Sequence, residues 1–452
     1  MDISLDIASI SAHPSDKPAN LRDQDLAASL IEKYQGIRGQ SNALCHPLEI
    51  EDYVIQTMPD VSPPKWHLAH TSWFFETLIL QPYLAGYQVY NRYFAYLFNS
   101  YYESLGEKYP RPQRGLLSRP AVSEVYAYRA YVDEAMLRLL SQQNHAHYTD
   151  IVKLSVLGMQ HEQQHQELLL TDIKHILANN PLPCVYRQSS LTQGDKPQLE
   201  WLHFAEGVYH IGRQAGQGLD DFCYDNETPQ HKVYLQDFKI RSHPVLNGEY
   251  MEFVDAGGYR DPEYWLSDAW KCVAQQGWEK PLYWLEQDGK RYQYSLSGIH
   301  PLDEYAPVCH VSFYEAAAFA RWRAARLASE AEWEVAAQQA SLVGHFADSG
   351  VYHPLAASCT DKITNVDSVS PLKQMFGDVW EWTQSAYSAY PGYRQSQGAL
   401  GEYNGKFMSN QMVLRGGSCA TPQQHIRRSY RNFFYPADRW QFSGFRLVED
   451  VK

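Results

Sequence analysis

From about Leu21 to Asn180, apolar residues recur at intervals of three and four, which is the spacing of a helix with one buried face. The stretch from Trp66 to Trp73 is apolar and is also compatible with a helix. The clearest runs contain Leu26, Leu30 and Ile31; Val132, Met136, Leu139 and Leu140; and Ile151, Leu154, Leu157 and Gly158. Together these segments predict a bundle of four helices that buries its apolar faces at the centre.

From about Trp201 the helical period gives way to short strand-like runs that are interrupted by Gly, Pro, Asp and Asn. One helical exception runs from Tyr314 to Gln338. A break at 179–183 and a polar, turn-rich stretch separate the two patterns. We therefore expect a helical domain over residues 20–185 and an irregular mixed α/β domain over residues 196–450.

Charge excludes some partners. A formal net charge of −13 over 452 residues argues against nucleic acid or an anionic membrane surface as a partner, because both favour clustered Lys and Arg.

The chain begins without the basic region of a signal peptide, and no apolar run is long enough to span a bilayer, so a cytoplasmic location is expected. Seven cysteines occur singly, which predicts reduced thiols, and composition leaves the oligomeric state open.

The strongest chemical signal is the run His161-Glu162-Gln163-Gln164-His165. Two imidazoles four residues apart lie on the same face of a helix and can bind one metal ion. A third ligand must come from a facing helix. His70 is the best candidate, and His67, one turn earlier, is the alternative.

The same five residues match the HExxH pattern of zinc peptidases, in which Glu162 would act as general base. In the extended pattern HExxHxxGxxH, a glycine and a further histidine follow. Position 168 is Leu here, and the helix is expected to continue through Asp172. The peptidase hypothesis is weakened but stays open, as does a non-catalytic metal-binding or small-molecule-binding module.

Leu68-Ala69-His70 followed by His161 to Glu167 resembles the three iron-binding histidines of the ergothioneine-biosynthesis sulfoxide synthases. Those enzymes join a DinB-like four-helix bundle to a formylglycine-generating-enzyme-like domain. The second half of this chain is similar to that domain at residues 244–250, 311–316, 326–334, 377–383, 415–418 and 444–447. The resemblance implies a fold of α plus mixed α/β class, with the iron ligands in the bundle.

The activity that the resemblance implies is oxidative C–S bond formation. Iron(II) bound by His70, His161 and His165 would use O2 to join cysteine to the imidazole carbon of hercynine, which is Nα-trimethylhistidine. Hercynine, cysteine and O2 are then the substrates. Formylglycine generation itself is not implied, because it relies on a close cysteine pair and only Cys419 follows residues 415–418.

The resemblance also implies roles for individual residues. Tyr101 and Tyr102 match a tyrosine pair that donates a proton or hydrogen atom in one branch of the family. Arg111 and Arg114 suit the carboxylate of the thiol substrate, because guanidinium groups bind carboxylates bidentately. The positions that match substrate-pocket residues are Gln164, Tyr403, Asn432, Phe433 and Phe434.

The sequence departs from the mycobacterial members at two positions. One bears on the choice of thiol substrate and the other on the position of the catalytic tyrosine. Phe434 stands where those members have an Asp that holds the γ-glutamyl amine, which favours free cysteine as the thiol. Leu400 replaces their catalytic tyrosine, in agreement with a donor at Tyr101 and Tyr102. Synthases that use a selenium donor, or ovothiol-type synthases that act on histidine and commonly carry a further methyltransferase domain, are the alternatives; this chain ends at Lys452 without such a domain.

Overall fold

The computed structural model of the protein describes residues 19–214, 221–364, 370–396 and 401–451. The first part of the chain is helical as far as residue 178. Its helices are α1 (Ala19–Cys45), α2 (Pro64–Phe75), α3 (Gln81–Tyr83), α4 (Phe94–Phe98), α5 (Val122–Leu140) and α6 (Tyr148–Ala178). A π-helical turn, Glu76–Leu80, continues α2.

Helix α2 is the centre of the helical region. It begins at Pro64, a residue whose fixed φ suits the first turn of a helix, and every residue from Pro64 to Phe75 is buried. Helices α1, α4, α5 and α6 all pack against it. Because α2 is surrounded on all sides, its polar residues, including His67 and His70, lie in the interior.

The second part of the chain contains helices and short strands in alternation. The helices are α7 (Asn247–Asp255), α8 (Ser267–Gln276), α9 (Phe313–Trp322), α10 (Glu330–Ala337) and α11 (Ala357–Thr364). The strands are β1 (Trp201–Phe204), β2 (Gly207–Ile211), β3 (His231–Leu235), β4 (Phe238–Arg241), β5 (Trp284–Gln287), β6 (Lys290–Ser295), β7 (Gly298–Pro301), β8 (Arg326–Leu327), β9 (Trp380–Ala386), β10 (Met412–Arg415), β11 (Asn432–Phe434), β12 (Ser443–Phe445) and β13 (Leu447–Asp450).

The strands form four small sheets within the described ranges, with the orders β1-β4-β13-β8, β11-β10-β9-β12, β5-β6-β7 and β2-β3. The pairs within them are antiparallel except for β12 with β9, which is parallel. Most of the second region is therefore loop, held by many buried ion pairs such as Arg415 with Glu330 and Arg446 with Glu381.

The single helix predicted from Tyr314 to Gln338 is wrong. The chain leaves α9 after Trp322, passes through Ala324 at a φ of +53°, and pairs β8 with β13 before α10 begins. Ser329 caps α10 by accepting from the backbone N–H of Glu332 at 3.2 Å. A Ser followed three residues later by Glu is a capping box, and it starts a new helix here.

The two regions are joined by α6. The carboxylate of Glu167 accepts hydrogen bonds from Trp380 at 2.6 Å, Ser418 at 2.7 Å and Thr421 at 2.8 Å, all from the second region. Burial raises the pKa of Glu167, and the three donors oppose that rise. Across the described residues, no helix is long and apolar enough to cross a membrane.

Candidate metal centre and substrate pocket

His70 of α2 and both His161 and His165 of α6 meet where the two helices pack together. One ring nitrogen from each lies within 4.8 Å of the other two. The Nε2 atoms of His70 and His161 are 3.2 Å apart. Nitrogen atoms that converge in this way from three side chains are the arrangement that a metal ion requires.

The charge state of the cluster also fits a metal. Burial lowers the pKa of His161 to about 3. The pKa values of His70 and His165 lie well below their usual range because burial, and then the neighbouring His161, disfavour the charged ring. All three imidazoles are therefore neutral near pH 7, and each has a lone pair available for a metal.

Hydrogen bonds orient two of the three rings. His70 Nδ1 lies 2.6 Å from the backbone oxygen of Phe98, so Nδ1 carries the proton and Nε2 is free. His165 Nδ1 lies 2.9 Å from Nδ1 of His67. The third ring, His161, has no partner for its buried Nδ1 among the described residues. His67, the alternative ligand, contacts Nδ1 of His165 and lies outside the group of three histidines.

Glu162 occupies a buried ion-pair network. Its carboxylate accepts hydrogen bonds from Arg38 at 2.8 Å, Arg129 at 3.0 Å and Ser41 at 2.6 Å. Burial by itself raises a carboxyl pKa, but the two guanidinium groups outweigh it and lower the pKa of Glu162 to about 2. Both oxygens are engaged, so this carboxylate is not available as the general base of a peptidase.

Tyr101 and Tyr102 stack on each other with ring centroids 4.7 Å apart. The ring of the fully buried Tyr102 lies 5.5 Å from Trp73, and the ring of Tyr101 lies 6.2 Å from Tyr403. The Tyr102 hydroxyl has no well-aligned hydrogen-bond partner in the described part of the chain. Burial raises the pKa of both phenols, so both keep their protons at neutral pH.

Arg114 is a buried cation beside the cluster. Its guanidinium donates to the hydroxyls of Ser62 at 2.9 Å and Ser100 at 3.2 Å and lies 3.3 Å from the ring centroid of Trp66. Its Nε has no partner within the described ranges. Burial, and then nearby Arg111, lower its pKa well below the ordinary value. Arg111 itself is exposed and donates to a backbone carbonyl.

Gln164 connects α6, which carries His161 and His165, to the second region. Its Nε2 donates to the hydroxyl of Tyr430 at 2.6 Å, and its Oε1 accepts from the hydroxyl of Tyr403. The Tyr403 ring lies 5.7 Å from the ring of His161 and stacks on Tyr224 at 5.3 Å. The predicted pocket residues Gln164 and Tyr403 therefore lie together beside a candidate ligand.

Tyr224 and Tyr430 were not predicted from the sequence. Tyr430 lies two positions before β11, beside the segment that carries the family resemblance, so its position was a usable signal. No motif marks Tyr224, which reaches the pocket only through the fold. Both rings contact Arg427, whose guanidinium is 5.4 Å from the Tyr224 ring and 5.0 Å from the Tyr430 ring.

The three predicted pocket residues of β11 lie at different positions relative to this site. Phe433 stacks on Tyr387 with centroids 4.0 Å apart and lies 5.8 Å from Phe407, which is 5.2 Å from Tyr101. Phe433 is thus linked through Phe407 to the tyrosine pair.

Asn432 and Phe434 share the other face of β11, because side chains alternate along a strand. The Asn432 carboxamide accepts from the backbone N–H of Phe433 at 2.9 Å, and the Phe434 ring lies 6.3 Å from Trp440. No contact described for these two residues reaches the three histidines. Leu400 lies outside the described residues.

Residues 193–451 match the family model of the sulfatase-modifying factor enzyme 1-like domain. The protein is therefore of the class in which a helical region with a three-histidine cluster precedes such a domain. The predicted fold of a helical region followed by a formylglycine-generating-enzyme-like domain is confirmed. The DinB-like assignment and the boundaries at residues 185 and 196 stay predictions.

Three relatives indicate which family within this class contains the protein. The hercynine oxygenase of Mycolicibacterium thermoresistibile is 30% identical over 419 residues, which cover 87% of this chain and 88% of that protein. The hercynine oxygenase of Mycolicibacterium smegmatis is 36% identical over 248 residues, with coverages of 50% and 56%. Ergothioneine biosynthesis protein 1 of Schizosaccharomyces pombe is 28% identical over 242 residues, with coverages of 51% and 28%. The chain belongs to the hercynine oxygenase family.

Proposed function

We propose that the protein is a non-heme iron(II), O2-dependent sulfoxide synthase that joins cysteine to the imidazole carbon of hercynine. The observation that carries the proposal is the cluster of His70, His161 and His165, two of them buried and His165 half-buried, in a chain of the hercynine oxygenase family. The product is a hercynyl-cysteine sulfoxide. One S–H and one C–H bond are lost, and O2 accepts four electrons, with one oxygen atom entering the sulfoxide and the other leaving as water.

Three neutral imidazoles suit iron(II), although they also suit other divalent ions, so the family supplies the preference for iron. Bound iron(II) would hold O2 and both substrates together, because three protein ligands leave up to three positions of a six-coordinate ion open. The protein's own contribution is burial of most of the cluster: His70 and His161 are 0% and 1% exposed and His165 is half-buried, which limits the access of water to reactive species.

Arg114 is the residue that supports an amino-acid thiol. A buried guanidinium without a carboxylate partner is costly, and a substrate carboxylate would remove that cost. Stacking on Trp66, which itself stacks on His70 at 4.5 Å, fixes the guanidinium beside the cluster. Free cysteine is favoured over γ-glutamylcysteine because Phe434 provides no carboxylate for a γ-glutamyl amine.

Tyr102 is our proposed proton or hydrogen-atom donor, with Tyr101 as its stacked partner. Its hydroxyl is protonated and buried, and it interacts with the neighbouring Tyr101 hydroxyl, so the two phenols can act together in donating to a reacting group. In hercynine the quaternary ammonium cannot donate a hydrogen bond, and aromatic faces recognise such cations. Tyr403, which lies beside Gln164 and His161, is our candidate for such a face.

The test uses metal-free protein that is loaded anaerobically with iron(II) and then given O2. Hercynine is supplied with cysteine or, separately, with γ-glutamylcysteine, and the products are identified by mass spectrometry. We expect the sulfoxide adduct, formed faster from cysteine. Parallel reactions with histidine in place of hercynine, and with a selenium donor in place of cysteine, test the ovothiol-type and selenium alternatives. Absence of any adduct would contradict the proposal.

A further inference from the structure

A chain of hydrogen-bonded side chains, the half-buried His165 and the buried His67 and Asp172, runs from the histidine cluster into the protein. Nδ1 of His165 lies 2.9 Å from Nδ1 of His67, and Nε2 of His67 lies 3.0 Å from an Oδ2 of Asp172. That same carboxylate oxygen accepts the backbone N–H of Ser62 at 2.8 Å. His67 and Asp172 are each 3% exposed, so water does not compete for these hydrogen bonds.

The donor and acceptor groups determine the direction in which these hydrogen bonds are donated. The Asp172 oxygen is an acceptor, so Nε2 of His67 carries a proton and donates to it. If His165 binds the metal through Nε2, its Nδ1 carries the proton and donates to Nδ1 of His67. Nε2 of His165 is then left with the lone pair that a metal ion needs. The opposite direction would place a proton on His165 Nε2 and prevent ligation.

We infer that His67, held by Asp172, is the positioning residue for the ligand His165, and that it fixes the tautomer in which Nε2 of His165 binds the metal. The inference rests on the proposed metal centre. His70 obtains the equivalent orientation from a neutral backbone carbonyl, whereas His165 is linked through His67 to a carboxylate. A carboxylate-linked imidazole raises the basicity of the ligand that donates to it, which strengthens metal binding.

The test compares two nearly isosteric variants, His67→Asn and His67→Leu. The Asn carbonyl oxygen reaches the position of Nδ1 and can still accept from His165, whereas Leu presents no acceptor there. Cobalt(II) affinity is measured by absorption titration of the metal-free proteins. We expect His67→Leu to bind cobalt(II) about 10- to 100-fold more weakly than wild type, and His67→Asn to recover most of that loss.

Equal affinity in all three proteins would overturn the inference. Equal losses in the Asn and Leu variants would also overturn it, because a packing role does not distinguish an acceptor from a methyl group. His161→Ala is measured beside them: if it binds cobalt(II) as tightly as wild type, the metal centre itself fails and the result is separate from any effect of His67. Thermal unfolding of each metal-free variant shows whether its fold is retained.

If the Leu variant does not fold, nitrogen NMR of the zinc-loaded wild-type protein decides the question. The inference requires His165 to be protonated at Nδ1 and His67 at Nε2. A proton on Nδ1 of His67 that points toward His165 would overturn it.

Discussion

Glu402 accepts two hydrogen bonds from Ser104, one from the backbone N–H at 2.9 Å and one from the hydroxyl at 2.6 Å. It also accepts the backbone N–H of Glu103 at 2.8 Å. Partial burial acts to raise the pKa of Glu402, but these donors and the ammonium group of Lys406 at 3.0 Å outweigh it and lower the pKa to about 2. The second region thus holds, through an ionised carboxylate, the loop that carries Tyr101 and Tyr102.

Replacing this anchor should loosen the tyrosine loop. In Glu402→Gln the charge is lost and one oxygen becomes a donor that faces backbone N–H groups, at a cost of about 1.5–3 kcal/mol for a charged hydrogen bond. We expect less sulfoxide per O2 consumed and more simple thiol oxidation, with unchanged iron content. The matched control is Glu107→Gln, an exposed carboxylate nearby, which should leave the product ratio unchanged.

Tyr102→Phe tests the proposed donor directly. Because the Tyr102 hydroxyl has no well-aligned internal partner, its removal should leave thermal stability within about 1 kcal/mol of wild type. Sulfoxide formation should slow, and product should shift toward oxidised thiol, as measured by mass spectrometry alongside O2 uptake. Tyr101→Phe is the comparison. A Tyr102→Phe enzyme with wild-type rate and product would remove this residue from the mechanism.

Arg114→Met should affect the thiol more than hercynine. The lost guanidinium–carboxylate hydrogen bonds predict an increase in KM for cysteine of about 10- to 100-fold. KM for hercynine should change far less, because the proposal places the carboxylate of cysteine, and not that of hercynine, beside Arg114. Arg119→Met is the control, since Arg119 is exposed and bonds only to the carbonyl of Ser118 among the contacts described. An equal or larger increase in KM for hercynine would argue against a specific contact with the cysteine carboxylate.

The ionisation of Glu162 makes the stability of the fold decrease at acidic pH. Its pKa falls from the usual 4.5 to about 2 in the folded protein, so the unfolded chain binds more protons between these values. The ion pairs therefore stabilise the fold above pH 4.5, and about 3 kcal/mol is lost as pH falls toward 2. Denaturant unfolding across this range should show the loss in wild type and lack this contribution in Glu162→Gln, which is less stable at pH 7.

Much of the metal centre was predictable because it depends on helix geometry. The four-residue spacing of His161 and His165 places both on one face whatever the tertiary structure. His67 and His70 are one turn apart on α2, so spacing alone did not separate them. The two histidines are distinguished by their contact with Asp172. This residue lies two turns after His165 on α6 and contacts His67 across the interface between α2 and α6.

The features that the sequence did not reveal depend on contacts distant in the chain. Nothing near Glu162 indicates that Arg38 and Arg129 neutralise it, so the peptidase interpretation stayed open until the fold was known. The break between α9 and α10 depends on the pairing of β8 with β13, and the capping box at Ser329 and Glu332 was the one local signal of it in the sequence. Tyr224 joins the pocket for the same reason.

The most direct test of the central claim is a reaction of iron-loaded protein with hercynine, cysteine and 18O-labelled O2. We predict a hercynyl-cysteine adduct that carries one labelled oxygen on sulfur, with no product when His161 is replaced by Ala. An adduct without the label, or only cystine and unchanged hercynine, would contradict the assignment of this three-histidine centre as a sulfoxide synthase.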